Sequence, residues 1–223
     1  MIDAFLGSGV GFVDEVIEFE GRAGIIYERV EGPNMQDEFI TKPWRIIELA
    51  SRLAGLQAAV HECVLSDLPS HRQQLERKIR SATAIPVNER ETALNALDRL
   101  PDGDALCHGD LHPFNVLMSP RGPIIIDWMD AGRGNPLADV AKTSLVLRLR
   151  RSVPDISVAA QVLMKAARNL IHAVYLNRYR YLRCIDFHQL AAWQTPIAAS
   201  RLSAGIAGEQ TQLLALIEDP LPH

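Results

Sequence analysis

Lysine is scarce in this chain. Only four of its 23 basic residues are lysine (Lys42, Lys78, Lys142 and Lys165), and the first 41 positions hold none. With 27 acidic residues the formal net charge is −4, so there is no basic field of the kind that recruits DNA, RNA or an anionic membrane. Cysteine is short as well. Cys63, Cys107 and Cys184 are odd in number, far apart and free of any CxxC pair, which argues against a disulfide framework or a zinc knuckle. They read as reduced, buried thiols of a cytoplasmic protein. No apolar run approaches the roughly 18 residues that a membrane-spanning helix needs. The opening segment, MIDAFLGSGVGFVDEVIEFE, has an early Asp3 and no basic leader, so it does not read as a secretory signal.

What is present is the composition of a folded domain. Hydrophobic residues make up 48% and charged residues 22% of 223, which suits one large domain or two small lobes around a shared cleft. VIEFEGRAGIIYERV predicts two short strands joined by a glycine-containing turn. EGPNMQD breaks that pattern. A helix is expected from about Thr41 and Pro43, with Ile46, Leu49, Leu53, Leu56 and Val60 at helical spacing. HRQQLERKIRSATAI and NERETALNALDRL predict two more helices, the second with Asn88 and Glu91 spaced as a capping box. ALCHGD is strand-like, and NVLMS and PIIIDW predict a hairpin turned by PRG. Beyond them Asp139 is placed to cap a helix, and the rest reads as helices over SVAAQVLMKAARNLIHAVYLNRYRYL, FHQLAAWQTPIAASRLSAGI and GEQTQLLALI. The fold class is α+β with a helical majority.

The polar residues concentrate between Leu106 and Asp139, LCHGDLHPFNVLMSPRGPIIIDWMDAGRGNPLAD. Phosphoryl transfer asks little of a protein beyond positioning and charge neutralisation. One carboxylate accepts the proton of the nucleophile, while a second carboxylate and a carboxamide hold Mg²⁺, which prefers oxygen ligands. Asp110 and Asn115 are spaced as D-x-x-x-x-N, the kinase catalytic-loop pattern. Asp127 ends the apolar strand, where a kinase carries the Asp of D-F-G, here written D-W-M. A hairpin between these elements returns both ends to one edge, so Asp110, Asn115 and Asp127 can converge.

These motifs carry a resemblance. HGDLHPFN, IIIDW and NPLADVAKT resemble the signature of the aminoglycoside phosphotransferase and choline kinase-like family, a branch of the protein-kinase-like fold. GIIYERVEGPNM is similar to that family's last upper-lobe strand and hinge, and WQTPIAASRL to a late helix. The likeness runs from about Val16 to Ile217 and implies a mostly helical lower lobe (32–223) with a catalytic β-hairpin, below a remnant β upper lobe (1–31). It implies Asp110 as catalytic base and Asn115 and Asp127 as Mg²⁺ ligands. The hinge backbone at Glu28, Arg29 and Val30 would meet the adenine of ATP, and His108 and Asp139 would hold the catalytic loop in shape. The expected activity is ATP- and Mg²⁺-dependent phosphorylation of a hydroxyl on a small molecule.

One departure from the pattern stands out. The phosphate-covering Gly-rich strands and the phosphate-anchoring Lys come before the hinge in this fold, yet 27 residues precede Glu28 and none is Lys. The glycines from Gly7 to Gly11 read as a flexible leader. Either the chain starts inside a longer protein or the short form is native. In the second case the strand around Val16–Phe19 would offer an open edge for pairing with another copy, a route to a homo-oligomer. The alternative function is a non-catalytic binding module on a degenerate kinase-like fold.

Overall fold

The computed structural model describes residues 13–19, 21–149, 157–206 and 208–218; the expected leader at Gly7–Gly11 lies outside them. Strands β1 (Val13–Phe19) and β2 (Arg22–Tyr27) pair antiparallel, as their β-branched and aromatic residues predict. Next comes a short helix, α1 (Met35–Thr41), capped by Asn34, whose side chain accepts the Asp37 amide. Here the expectation was wrong: Thr41 closes a helix rather than opening one, and Pro43 begins a 3₁₀ turn that leads into α2 (Ile46–Val60). The corner is fixed by Glu38, buried and paired with both Lys42 and Arg45 at 2.6 Å.

Helices α3 (His71–Ser81) and α4 (Val87–Arg99) follow. The capping box expected at Asn88 is not formed, because the helix starts two residues earlier, behind Pro86. Strand β3 (Ala105–Cys107) leads to the hairpin of β4 (Val116–Ser119) and β5 (Gly122–Ile125), in which Val116 faces Ile125 and Leu117 faces Ile124. Ile124 and Ile125 are buried; Ile126 lies past the ladder and is only half-buried. Strand β6 (Gly132–Gly134) returns antiparallel beside β3. A GRG sequence carries no strand propensity, and tertiary contact requires it instead. A Cβ at Gly132 would sit 2.9 Å from the carbonyl oxygen of Pro69.

The remaining elements are α5 (Pro136–Arg148), α6 (Val158–Arg183), α7 (Phe187–Ala192), α8 (Gln194–Leu202) and α9 (Gln210–Glu218). Asp139 is not the cap of α5. Asn135 caps it through the Leu137 amide, with Pro136 at the first helical position, so the helix begins ahead of Asp139. The single helix expected from Phe187 is split at Trp193. Pro196 has no amide to give the Ala192 carbonyl, and it is tolerated because it falls in the first turn of α8.

The core has two centres. Helix α2 packs along α6, burying Leu49, Leu53 and Ala54 in one cluster with Tyr175 and Tyr179. Helix α8 is the second, with α3, α4, α5 and α9 packed on it and Pro196–Leu202 buried throughout. Each fully buried Leu or Ile contributes about 1.5–3 kcal/mol. Of the thiols expected to be buried only Cys107 is; Cys63 is half-buried and Cys184 exposed at the end of α6. Among the described residues no helix is long and apolar enough to cross a membrane.

Candidate active site

The loop after β3 is built by backbone hydrogen bonds to a buried carboxylate. Asp139 on α5 accepts the amides of His108 at 3.1 Å and Gly109 at 2.7 Å. Gly109 has φ +81°, and a Cβ there would strike the Asp130 carbonyl oxygen at 2.4 Å, so only glycine fits. The fully buried Asp139 also accepts from Gln57 on α2 and from His61 at its C-terminal cap, each at 3.1 Å, and His61 in turn meets the Tyr179 hydroxyl at 2.6 Å. Burial pushes the Asp139 carboxyl upward. The hydrogen bond from His61 and the imidazoles of His61, His71 and His108 outweigh it and hold the carboxyl below the usual carboxylate range. Four residues on, Thr143 donates to the Leu111 carbonyl at 2.8 Å.

A second chain of bonds ties the loop to the hairpin. His108 Nδ1 accepts the Asp110 amide at 3.2 Å, which leaves Nε2–H to donate to the Ile126 carbonyl at 3.0 Å. The Ile126 amide donates to the Asn115 carbonyl at 3.0 Å, and Asn115 Nδ2 donates to the Asp110 carbonyl at 3.0 Å. Asp110, Asn115 and Ile126, with Asp127 next in sequence, are thus bonded around one spot. The Asn115 amide nitrogen is spent on the loop, which leaves its Oδ1 open. Asp127 stands in the left-handed region (φ 62°, ψ 61°), exposed, and among the described residues its carboxylate makes no hydrogen bond or ion pair.

Asp110 is surrounded by two cations and an imidazole. Its Oδ1 lies 3.4 Å from Arg201 Nη1 and 3.7 Å from Lys142 Nζ, and its Oδ2 lies 3.4 Å from His112 Nε2. Burial would raise its carboxyl, yet His112, Lys142 and Arg201 together hold it well below the ordinary range, so it is ionised at neutral pH. Lys142 is pushed down to about 8, by burial first and against the pull of Asp110. Neither Lys142 nor Arg201 was foreseen as part of the site. A signal existed in ADVAKT: Asp139, Lys142 and Thr143 are spaced i, i+3, i+4, which puts all three on one helix face.

The segment at Glu28, Arg29 and Val30 leaves β2 and runs to the hairpin. The Met118 amide bonds the Pro33 carbonyl at 2.8 Å, and Arg121 on the hairpin turn pairs with Glu28. Among the described residues the backbone groups of Glu28, Arg29 and Val30 make no bond to other backbone.

Helical packing around a loop–hairpin of this kind, below a β-ribbon, defines a protein-kinase-like fold. Two solved structures share it: the aminoglycoside phosphotransferase APH(4)-Ia in ternary complex with ADP and hygromycin B (TM-score 0.67, 18% identity, 97% of this chain and 79% of that one), and the amicoumacin kinase hAmiN in complex with AMP-PNP, Ca²⁺ and Ami (0.61, 16%, 99% and 76%). Residues 13–193 match the model of the phosphotransferase enzyme family, and the chain belongs to that family. The viomycin phosphotransferase of Streptomyces vinaceus is 31% identical over 138 residues, which is 52% of this chain and 48% of that protein. The match spans about half the length of that relative.

Proposed function

We propose that the chain is the catalytic part of an ATP-dependent, Mg²⁺-requiring phosphotransferase that phosphorylates a hydroxyl of a small molecule. The observation that carries the reading is the hydrogen-bond chain that ties Asp110 and Asn115 to Ile126, the residue before Asp127, with Asp110 ionised. Asp110 orients the acceptor hydroxyl and takes its proton. The acceptor oxygen forms a bond to the γ-phosphorus, and the bond from that phosphorus to the bridging oxygen breaks, its electron pair leaving on ADP. The transition state is loose and proton transfer comes late, so a carboxylate of low pKa suffices.

Asn115 Oδ1 and Asp127 fit a magnesium ion: both supply oxygen, neither oxygen group has a partner among the described residues, and two protein oxygens are what Mg²⁺ takes when phosphates complete its shell. When bound, the ion neutralises charge on the phosphates. The backbone edge at Glu28, Arg29 and Val30, unpaired with other backbone among the described residues, is the place for adenine, where the ribbon of β1 and β2 meets the helical part. His108 and Asp139 act as supports that fix the loop.

The test is an assay of phosphoryl transfer from ATP to a panel of viomycin, hygromycin B, amicoumacin, choline and simple sugars. Asp110→Asn should cut turnover about 10²-fold or more, the scale of a positioned acid–base group, and leave nucleotide affinity unchanged. Nucleotide binding with no transfer to any acceptor would favour the non-catalytic binding module.

A further inference from the structure

Three side chains of α5 meet the catalytic loop, and only two of them hold its backbone. Asp139 and Thr143 take the amides and carbonyl of residues 108–111. Lys142, between them on the same face, reaches the side chain of Asp110. Arg201 reaches the same oxygen from α8, 59 positions further along the chain. Both cations are only 6% exposed, and a buried Lys or Arg is costly unless paired.

The two cations differ in what else they touch. Arg201 is held by the buried Glu209 through two bonds, at 2.9 and 3.2 Å. Among the described residues Lys142 has one ion partner, Asp110. The surrounding charges come from every neighbouring element: Arg201 from α8, Lys78 from α3, and Asp130 from the turn before β6, the last two paired at 2.5 Å. Glu209 answers Arg201 and Asp130 answers Lys78, so the charge left for Lys142 is that of Asp110.

We propose that Lys142 is a positioning residue for the transfer reaction: with Arg201 it clamps Oδ1 of Asp110, so that Oδ2, beside His112, is the oxygen presented to the acceptor hydroxyl. The role in transfer rests on the function proposed above; the clamp itself does not. Arg201 donates a long hydrogen bond at 3.4 Å and Lys142 lies at 3.7 Å, beyond hydrogen-bond range, so the two orient the Asp110 carboxylate without occupying its lone pairs with short bonds. A Lys142 that merely glued α5 to α8 would have no reason to seek the one carboxylate at the loop's tip.

Lys142→Met and Lys142→Arg decide the matter by two readouts. Met keeps the volume and buries well, so the fold should survive. The first readout needs no activity: crystal structures of wild type, Lys142→Met and Lys142→Arg, compared at the Asp110 side chain. In Lys142→Met the Asp110 carboxylate should leave its wild-type rotamer or be recorded in two conformers, and in Lys142→Arg it should keep the wild-type one. The second is kinetic: Lys142→Met should lower kcat about 10- to 100-fold, as misplacement of a reacting group does, with the ATP KM within about twofold, and Lys142→Arg should restore most of kcat. An unmoved, singly ordered Asp110 side chain in Lys142→Met, or an unmoved kcat, overturns the proposal. Wild-type protein inactive on every acceptor would overturn the proposed reaction, while the crystal structures would still decide the clamp. Should Lys142→Met fail to fold, the same comparison on Lys142→Gln, which retains a polar head without charge, gives the answer.

Discussion

Gly109 and Asp139, 30 residues apart in sequence, meet at 2.7 Å, amide on carboxylate. The contact sits inside a group of four donors from two other parts of the chain: the His108 and Gly109 amides of the loop, and Gln57 of α2 with His61 at its C-terminal cap. Replacing that carboxylate leaves four buried donors without an acceptor. Asp139→Ala should therefore lower stability by about 3–5 kcal/mol, the scale of breaking a buried charged network, and loosen the loop together with α2. Urea unfolding monitored by circular dichroism measures it. A loss under 1 kcal/mol would mean that water or a neighbour replaces the carboxylate at no cost.

Asp127 makes the opposite prediction. It is exposed, without a partner among the described residues, and held in a left-handed conformation that glycine adopts without strain. Asp127→Gly should leave the melting temperature unchanged or slightly raised, by up to about 1 kcal/mol in stability. The same change should abolish binding of Mg²⁺·nucleotide. Calorimetric titration beside thermal denaturation separates the two effects; equal affinity for Mg²⁺·ATP in the two proteins would remove Asp127 from the metal site.

Acid should find both carboxylates of the loop network. Asp110 and Asp139 have folded-state pKa values below the unfolded value of about 3.9. Groups of this kind contribute stability that is complete above the unfolded pKa and lost as pH falls through the folded one. The two carboxylates should thus contribute a level amount from about pH 7 to 5 and lose it below about pH 4, with a shallower loss in Asp139→Asn. Buried His71, whose imidazole is held below its ordinary value, begins a decline as pH falls through about 6.5. Thermal melts across that range provide the check, and a chain as stable at pH 3 as at pH 7 would contradict it.

The hairpin was readable in the sequence because its signal is local, and the three proposed site residues were picked out by signals of the same local kind. D-x-x-x-x-N is a spacing, and PIIID is an apolar run ending in a carboxylate. The helices that carry a clear apolar period, such as Leu49–Leu53–Val60, were legible for the same reason. What failed was set by distant contact. Strand β6 is a GRG whose shape comes from Pro69 and β3. Asp139 looked like a cap because carboxylates favour helix starts, yet Asn135–Pro136 supplied a better one and released Asp139 for the loop. Arg201 reads as an ordinary helix residue until the fold brings it to Asp110, 91 positions earlier. Lys142 sat in a motif that resembled the family's, but its neighbours along the chain name no partner for it.

The path from Tyr179 through His61 to Asp139 ends at the loop amides, and it begins on the longest helix in the protein. The loop proposed to carry the chemistry is therefore not a loop in the mechanical sense. Through Asp139 of α5 it is tied to α2 and α6, whose packing makes one of the two centres of the core, so its backbone shares their rigidity. On the proposed function, adaptation to acceptors of different shape then falls to side chains around Oδ2 of Asp110 and to the surface beyond, while the backbone from His108 to Leu111 stays a fixed reference.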